Sequence, residues 1–370
     1  MRALIIGGTG PTGPHIIDGL LARQFQVSML NRGSRDTARI PDSVERIVAD
    51  PHFEETLESA LTGRTFDVAI ATYGRLRIVA NVLAGKVGQL VTVGGPPGYR
   101  GMFRPSDLMP AGLTVPTAES APKVTTEAEH RFGYLVRQAE ETVMEVHRSG
   151  RSSATHFRYP VVYGPGQIRP AIVWLVMRRC LDGRPFMVLP DAGLTVLSRG
   201  FERNMAEMLL LAVDRPDAAA GQIYNAADTV QLSLAQWVES IAANMDYRLP
   251  IVSVPDAYAG PARDLIPLRA SAHHQLLDTF KVRAELGYED VTAVPDAVAE
   301  TVAWYRDHPP EEDEAFREEL AAHYATEDAL ADIVEDADAA MAAVRQFNRD
   351  YHHSYAHPVE PGQERDHRDR

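Results

Sequence analysis

Cysteine is nearly absent: Cys180 is the only one in 370 residues. An intrachain disulfide is therefore impossible, and a CxxC redox or metal site is excluded. Basic residues are also scarce, with 37 Lys and Arg against 51 Asp and Glu and a formal net charge of -14. That balance gives no electrostatic footprint for nucleic acid or an anionic membrane, so small molecules or other proteins are the expected partners. The opening MRALIIGGTG carries one basic residue and an apolar run of a few residues. Such a run is too short for a signal peptide or a membrane span, and a soluble cytoplasmic protein is expected.

What is present is a hydrophobic content of 45%, enough for a large core. Short apolar runs alternate with amphipathic segments, predicting strands over 3–6, 27–30, 46–48, 68–72 and 90–93 and helices over 14–24, 53–61 and 76–83. This alternation predicts an α/β fold with a doubly wound parallel sheet. A longer helix over 125–147 ends at the C-cap candidate Gly150, and a strand over 154–157 follows. After residue 166 the regularity breaks down. The expected organisation is a Rossmann domain over 1–165, to which late strands near 196–228 return. A smaller C-terminal lobe is expected over 166–195 and 229–308. Past Pro309 and Pro310 an acidic helical extension runs over 309–355, and 356–370 reads as a disordered tail.

The first strand runs into GGTGPTG, residues 7–13. Gly7, Gly10 and Gly13 suit a tight turn, close approach of a pyrophosphate and close helix-on-strand packing, and Pro14 suits a first helical turn. Thr9, Pro11 and Thr12 complete the loop. The next strand ends in Asn31-Arg32-Gly33-Ser34-Arg35, where an NAD site would place a carboxylate on the ribose. No carboxylate appears before Asp36. Asn31 offers a neutral ribose partner, and Arg32, Ser34 and Arg35 suit a 2′-phosphate, so NADP(H) is favoured over NAD(H). Asp50, Thr72, Tyr159 and Val161 are the remaining expected cofactor contacts. No metal site is expected, because His352, His353 and His357 fall in the charged tail.

GGTGPTG, the strand over 89–93 and FRYPVVYGPG at 157–166 together resemble the extended short-chain dehydrogenase/reductase family, the NAD-dependent epimerase/dehydratase group, over roughly residues 1–308. GQIYNAAD at 221–228 and FKVRAELGY at 280–288 are similar to later family landmarks. The resemblance implies a dinucleotide on the Rossmann sheet, a substrate in the smaller lobe and a homodimer, for which Leu135 and Val143 offer apolar positions on the long helix. It also implies a Ser-Tyr-Lys triad, and here the sequence departs from the family. Overlaying the family's V-x-x-S-S-x-x-x-Y on VTVGGPPGY aligns Tyr99 and puts Gly94 and Gly95 at the serine positions. The family's Y-x-x-x-K spacing lands on Phe132 and Val136. A shift of two residues offers Tyr134, but with Gln138 at the lysine position.

Acid/base candidates are then Tyr134, Tyr99 and His130. Gly94, Gly95, Tyr163 and Arg199 are candidates for the substrate. Three readings follow: an enzyme on this fold with non-standard chemistry such as dehydration, isomerisation or cyclisation; a reductase or epimerase using Tyr134; or a non-catalytic dinucleotide sensor. The first is preferred.

Overall fold

The computed structural model describes every residue except 36, 168–170, 267–271, 345–354, 356 and 366–370. In the first half, β1 (Arg2–Ile6), α1 (Thr12–Ala22), β2 (Gln26–Asn31), β3 (Glu45–Val48), α2 (Glu54–Ala60), β4 (Phe66–Ala71), α3 (Leu76–Leu83) and β5 (Val87–Gly94) precede α4 (Arg131–Arg148) and β6 (Ser153–Arg158). Then come β7 (Val161–Tyr163), α5 (Ala171–Leu181), β8 (Met187–Pro190), β9 (Arg199–Phe201), α6 (Glu202–Asp214), α7 (Pro216–Ala219) and β10 (Ile223–Asn225). The chain ends through α8 (Leu234–Ala243), β11 (Ile251–Val254), α9 (Phe280–Leu286), α10 (Val294–Asp307) and α11 (Glu314–Ala342).

Seven strands form one parallel sheet in the order β10-β6-β5-β4-β1-β2-β3. A parallel sheet needs crossovers and is covered on both faces, which explains why Ala3, Leu4, Ile5 and Ile6 are all fully buried rather than alternating. Ala3 and Ile5 pack with Ile16, Ile17 and Leu209 on one face, while Leu4 and Ile6 pack with Leu57, Val79 and Leu83 on the other. The strand order reverses between β1 and β4, and a crevice opens beyond their C-terminal ends. β10 joins the sheet beside β6, so the chain returns to the Rossmann layer late.

α4 starts at Arg131, later than residue 125. Glu129 Oε2 accepts from the Thr125 backbone N–H (2.9 Å) and His130 Nδ1 accepts from Gly133 N–H (3.1 Å), so this segment is spent on capping. Val143, expected to be an apolar surface position for dimerisation, is fully buried in the core under the sheet; Leu135 is 36% exposed. The pairs β7/β9 and β8/β11 are too short to show a hydrophobic period and are not legible in the sequence.

The chain divides into two compact units, Met1–Leu330 and Ala331–Arg370. In the first, the acidic extension is more than a solvated face: Arg179 and Glu327, both wholly buried, pair at 2.6 Å and fix α11 to α5. In the second, Ile333 and Met341 of α11 are exposed, as are the described tail residues. His352 and His353 lie outside the described residues. Among the described residues no helix is long and apolar enough to cross a membrane.

Candidate functional site

The crevice at the switch point is a cleft of about 250 Å³ lined by Gly7, Thr9, Gly10, Pro11, Thr12, Asn31, Arg32, Ser34, Arg35, Thr72 and Tyr159, all expected from the sequence. Its residues fit a dinucleotide on structural grounds. Gly7 has φ +107°, and a Cβ there would lie 2.7 Å from Thr72 Oγ1, so the turn requires glycine. A Cβ on Gly13 would lie 2.2 Å from the Gly8 carbonyl oxygen, so glycine lets the first turn of α1 pack directly on the loop backbone. A Cβ on Gly10 would meet no atom within 4 Å, so that position faces open space before α1, with room for a pyrophosphate.

Gly13, Asp50 and Val161 do not line the cleft. Gly13 is structural, the Asp50 carboxylate is engaged by His52 N–H (3.0 Å) and Nδ1 (2.7 Å), and it is the next residue, Val162, that reaches the cleft. Sequence reasoning missed Tyr73 and Val93, which follow β4 and lie near the end of β5; proximity to a strand end at the switch point is the signal that could have found them. At the end of β2 the Asn31 side-chain oxygen accepts from Gly33 N–H (2.8 Å), and Arg32 lies over the Tyr73 ring at 5.5 Å. Arg32, Ser34 and Arg35 are exposed on the rim. Asp36 lies outside the described residues.

A second cavity of about 190 Å³ adjoins the first and shares Tyr159 with it. Gly95, Pro96, Pro97, Met102, Leu113, Pro160, Val161 and Leu277 supply its apolar lining, and Ser198 and Gln275 the other polar groups. The Tyr159 hydroxyl donates to the Met205 carbonyl (2.5 Å), and burial holds its pKa far above the usual range. None of the polar lining side chains is therefore ionised near neutral pH.

The glycines of QLVTVGGPPGY have different reasons to be there. A Cβ on Gly94 would lie 2.7 Å from both Cε1 and Nε2 of the buried His156 ring, which is held by Thr92 Oγ1 at Nδ1 (2.8 Å). Gly94 thus makes room for a histidine rather than lining the cavity. Gly95 does line the cavity, and a Cβ there would come within 3.1 Å of Pro97 Cδ only. Gly94→Ala is expected to lose about 1–3 kcal/mol of stability by overpacking, whereas Gly95→Ser folds with a small shift of the proline ring. Thermal melting of the two variants checks this contrast.

The turn after these glycines packs on α4: a Cβ on Gly98 would lie 3.6 Å from Val136 Cγ1 and from Arg137 N. Val136 and Tyr134 line neither cavity. The Tyr134 hydroxyl accepts from Gln138 Nε2 (2.8 Å), with Arg137 over its ring at 5.4 Å. Phe132 is 49% exposed and meets Phe103, on which His130 stacks at 4.1 Å. His130, proposed as an acid or base, has its Nδ1 committed to the α4 cap.

Tyr99, expected as an acid/base candidate, is 1% exposed. Its hydroxyl donates to Asn225 Oδ1 (2.7 Å) and accepts from Arg158 Nη1. Burial pushes its pKa up to about 12 against the pull of Arg158 and Asn225, which suits an anchor rather than a proton donor. Arg158 in turn grips Glu140 through Nε (2.6 Å) and Nη2 (2.9 Å), and Lys123 Nζ adds a third bond at 2.5 Å. Tyr163 and Arg199 are likewise buried away from both cavities. The Tyr163 hydroxyl donates to Asp228 (2.9 Å), while Arg199 lies over Trp237 at 5.4 Å and donates to the Leu265 carbonyl (2.7 Å). The sequence placed them at the substrate; the structure uses them inside the lobe because their β-strand neighbours direct them into its core. Elsewhere, Asp264, Glu319 and His323 bring ligand atoms within 4.8 Å of one another, apart from both cavities.

Residues 106–227 match the model of the NAD dependent epimerase/dehydratase family. No curated protein matches the chain. Among solved structures, UDP-glucose 4-epimerase from Thermotoga maritima, with UDP-glucose, is similar with a TM-score of 0.67 and 18% identity, over 84% of this chain and 100% of that one. UDP-glucose 4-epimerase from Thermus thermophilus, with NAD, gives 0.63 and 18% over 83% and 99%. dTDP-glucose 4,6-dehydratase from Streptomyces venezuelae, with NAD, gives 0.64 and 19% over 83% and 97%. The resemblance read from the sequence is thus met by a family model over residues 106–227 and by the fold, which is similar to that of these epimerase and dehydratase structures.

Proposed function

We propose that the chain is an NADP(H)-binding enzyme that converts a small organic, biosynthetic substrate by redox-neutral chemistry, a dehydration, isomerisation or cyclisation, without the Ser-Tyr-Lys triad. The observation that carries this reading is the second cavity, which abuts the cofactor cleft at Tyr159 and offers no side chain that exchanges a proton near neutral pH. Reduction through the family's triad needs a positioned acid at the oxygen that receives the hydride; dehydration and isomerisation move protons too, and with this lining those protons pass through solvent or the substrate's own groups. The nicotinamide supplies hydride exchange when bound; the chain's own residues bind, orient and exclude water.

The epimerases and dehydratases among the neighbours support a redox-neutral outcome, since neither reaction consumes the cofactor overall. Arg32, Ser34 and Arg35 on the cleft rim support a 2′-phosphate. Reduction through Tyr134 is disfavoured, because that hydroxyl is held by Gln138 and lines neither cavity. The homodimer expected from the family would use the face of α4 that carries Leu135.

The test is a panel of carbonyl and hydroxyl compounds incubated with the protein and NADP⁺ or NADPH. Product is followed by mass spectrometry and the cofactor by absorbance at 340 nm. Conversion with no net change in the cofactor is the expected result. Steady oxidation of NADPH would instead show a reductase, and cofactor binding with no conversion across the panel would show a sensor; either overturns the proposal.

A further inference from the structure

We infer that the second cavity is built for an uncharged, ring-sized ligand with one carbonyl group, whose oxygen accepts hydrogen bonds from Gln275 Nε2 and Ser198 Oγ. The inference rests on reading this cavity as the substrate site. Gln275 is 7% exposed, yet its Nε2 has no hydrogen-bond partner among the described residues. Buried amide donors are nearly always paired, so an unpartnered one on a residue that lines a cavity points to a ligand atom as its partner.

The backbone fixes both groups. Gln275 N–H donates to the Val196 carbonyl (2.9 Å) and the Gln275 carbonyl accepts from Ser198 N–H (3.0 Å), so the two residues sit on paired segments of one wall. Ser198 Oγ accepts from Leu277 N–H (2.8 Å), which leaves its own proton to donate elsewhere. Two neutral donors on residues that line an otherwise apolar cavity suit a carbonyl oxygen.

Size and charge narrow the class. At about 190 Å³ the cavity falls below the usual range for drug-sized ligands, about 300 Å³ and upward. Among its described lining residues no lysine or arginine is present to neutralise a diphosphate. Arg199, next in sequence to Ser198, points to Trp237 and the Leu265 carbonyl instead. A nucleotide sugar, as named for several structural neighbours, is therefore a poor match to this cavity.

The test uses acetophenone and its hydrocarbon counterpart ethylbenzene as probes on the NADPH-saturated protein, with binding read by ligand-observed NMR. The wild-type protein is expected to prefer the ketone by about tenfold. Gln275→Leu, and the closer isostere Gln275→Met, should bring that preference to near unity while NADPH affinity is unchanged, which also certifies the fold. A preference that survives both substitutions, or equal binding of the two probes by the wild type, overturns the inference and leaves the cavity as a substrate site. Failure of the wild type to bind either probe removes both readings.

Discussion

Replacing Glu140 with alanine is expected to cost about 3–5 kcal/mol of folding stability, a large share of what a domain has. Glu140 on α4 and Arg158 at the end of β6 are 4% and 3% exposed. Their two bonds, with those from Lys123 to Glu140 and from Arg158 to Tyr99, join the long helix, the sheet and the turn that follows β5. Removing the carboxylate strands a buried guanidinium, which is why the loss exceeds the net value of the pair. Glu140→Met combined with Arg158→Met should recover much of it. Urea unfolding of the single and double variants measures both.

The same network makes the protein sensitive to acid. Burial alone would raise the Glu140 pKa, but Arg158 holds it down to about 2, so its stabilisation is complete above the unfolded carboxylate value and is lost as pH falls toward 2. Burial lowers the neighbouring His156 to about 4. The unfolded chain then binds the extra proton between its own pKa, about 6.5, and 4, and stability again declines as pH falls through that window.

Gly10→Val should abolish binding of NADP(H), weakening it by more than about a hundredfold, which is about 2.7 kcal/mol or more. The fold should be unaffected. The new side chain points into space that no protein atom occupies within 4 Å, the space a pyrophosphate needs. Gly13→Val is the contrasting control: its Cβ would meet the Gly8 carbonyl at 2.2 Å, so this variant loses the fold along with binding. Circular dichroism and cofactor fluorescence separate the two outcomes. Retained binding in Gly10→Val would contradict the assignment of the loop.

The Rossmann layer was legible because its signals are local. Apolar runs bounded by glycine and proline mark β1 to β5, and a glycine turn between a strand and a helix marks the loop that lines the first cleft. The second cavity was not legible, because Met102, Leu113, Ser198 and Gln275 come from distant segments joined only by tertiary packing. Tyr99, Tyr163 and Arg199 misled for a related reason. A polar side chain at a strand end reads the same whether it faces a ligand or closes a buried network, and only the partners, Asn225 and Arg158, Asp228, and Leu265, decide. Gly94 shows the reverse case: its missing side chain reflects the volume of His156 and not a lost catalytic serine alone.

Calorimetric titration of NADPH and NADH onto the wild-type protein tests the account most directly. Arg32, Ser34 and Arg35 on the cleft rim should make NADPH bind about tenfold tighter or more, a preference that Arg32→Ala combined with Arg35→Ala removes. Equal or tighter binding of NADH, or no binding of either nucleotide, would contradict it.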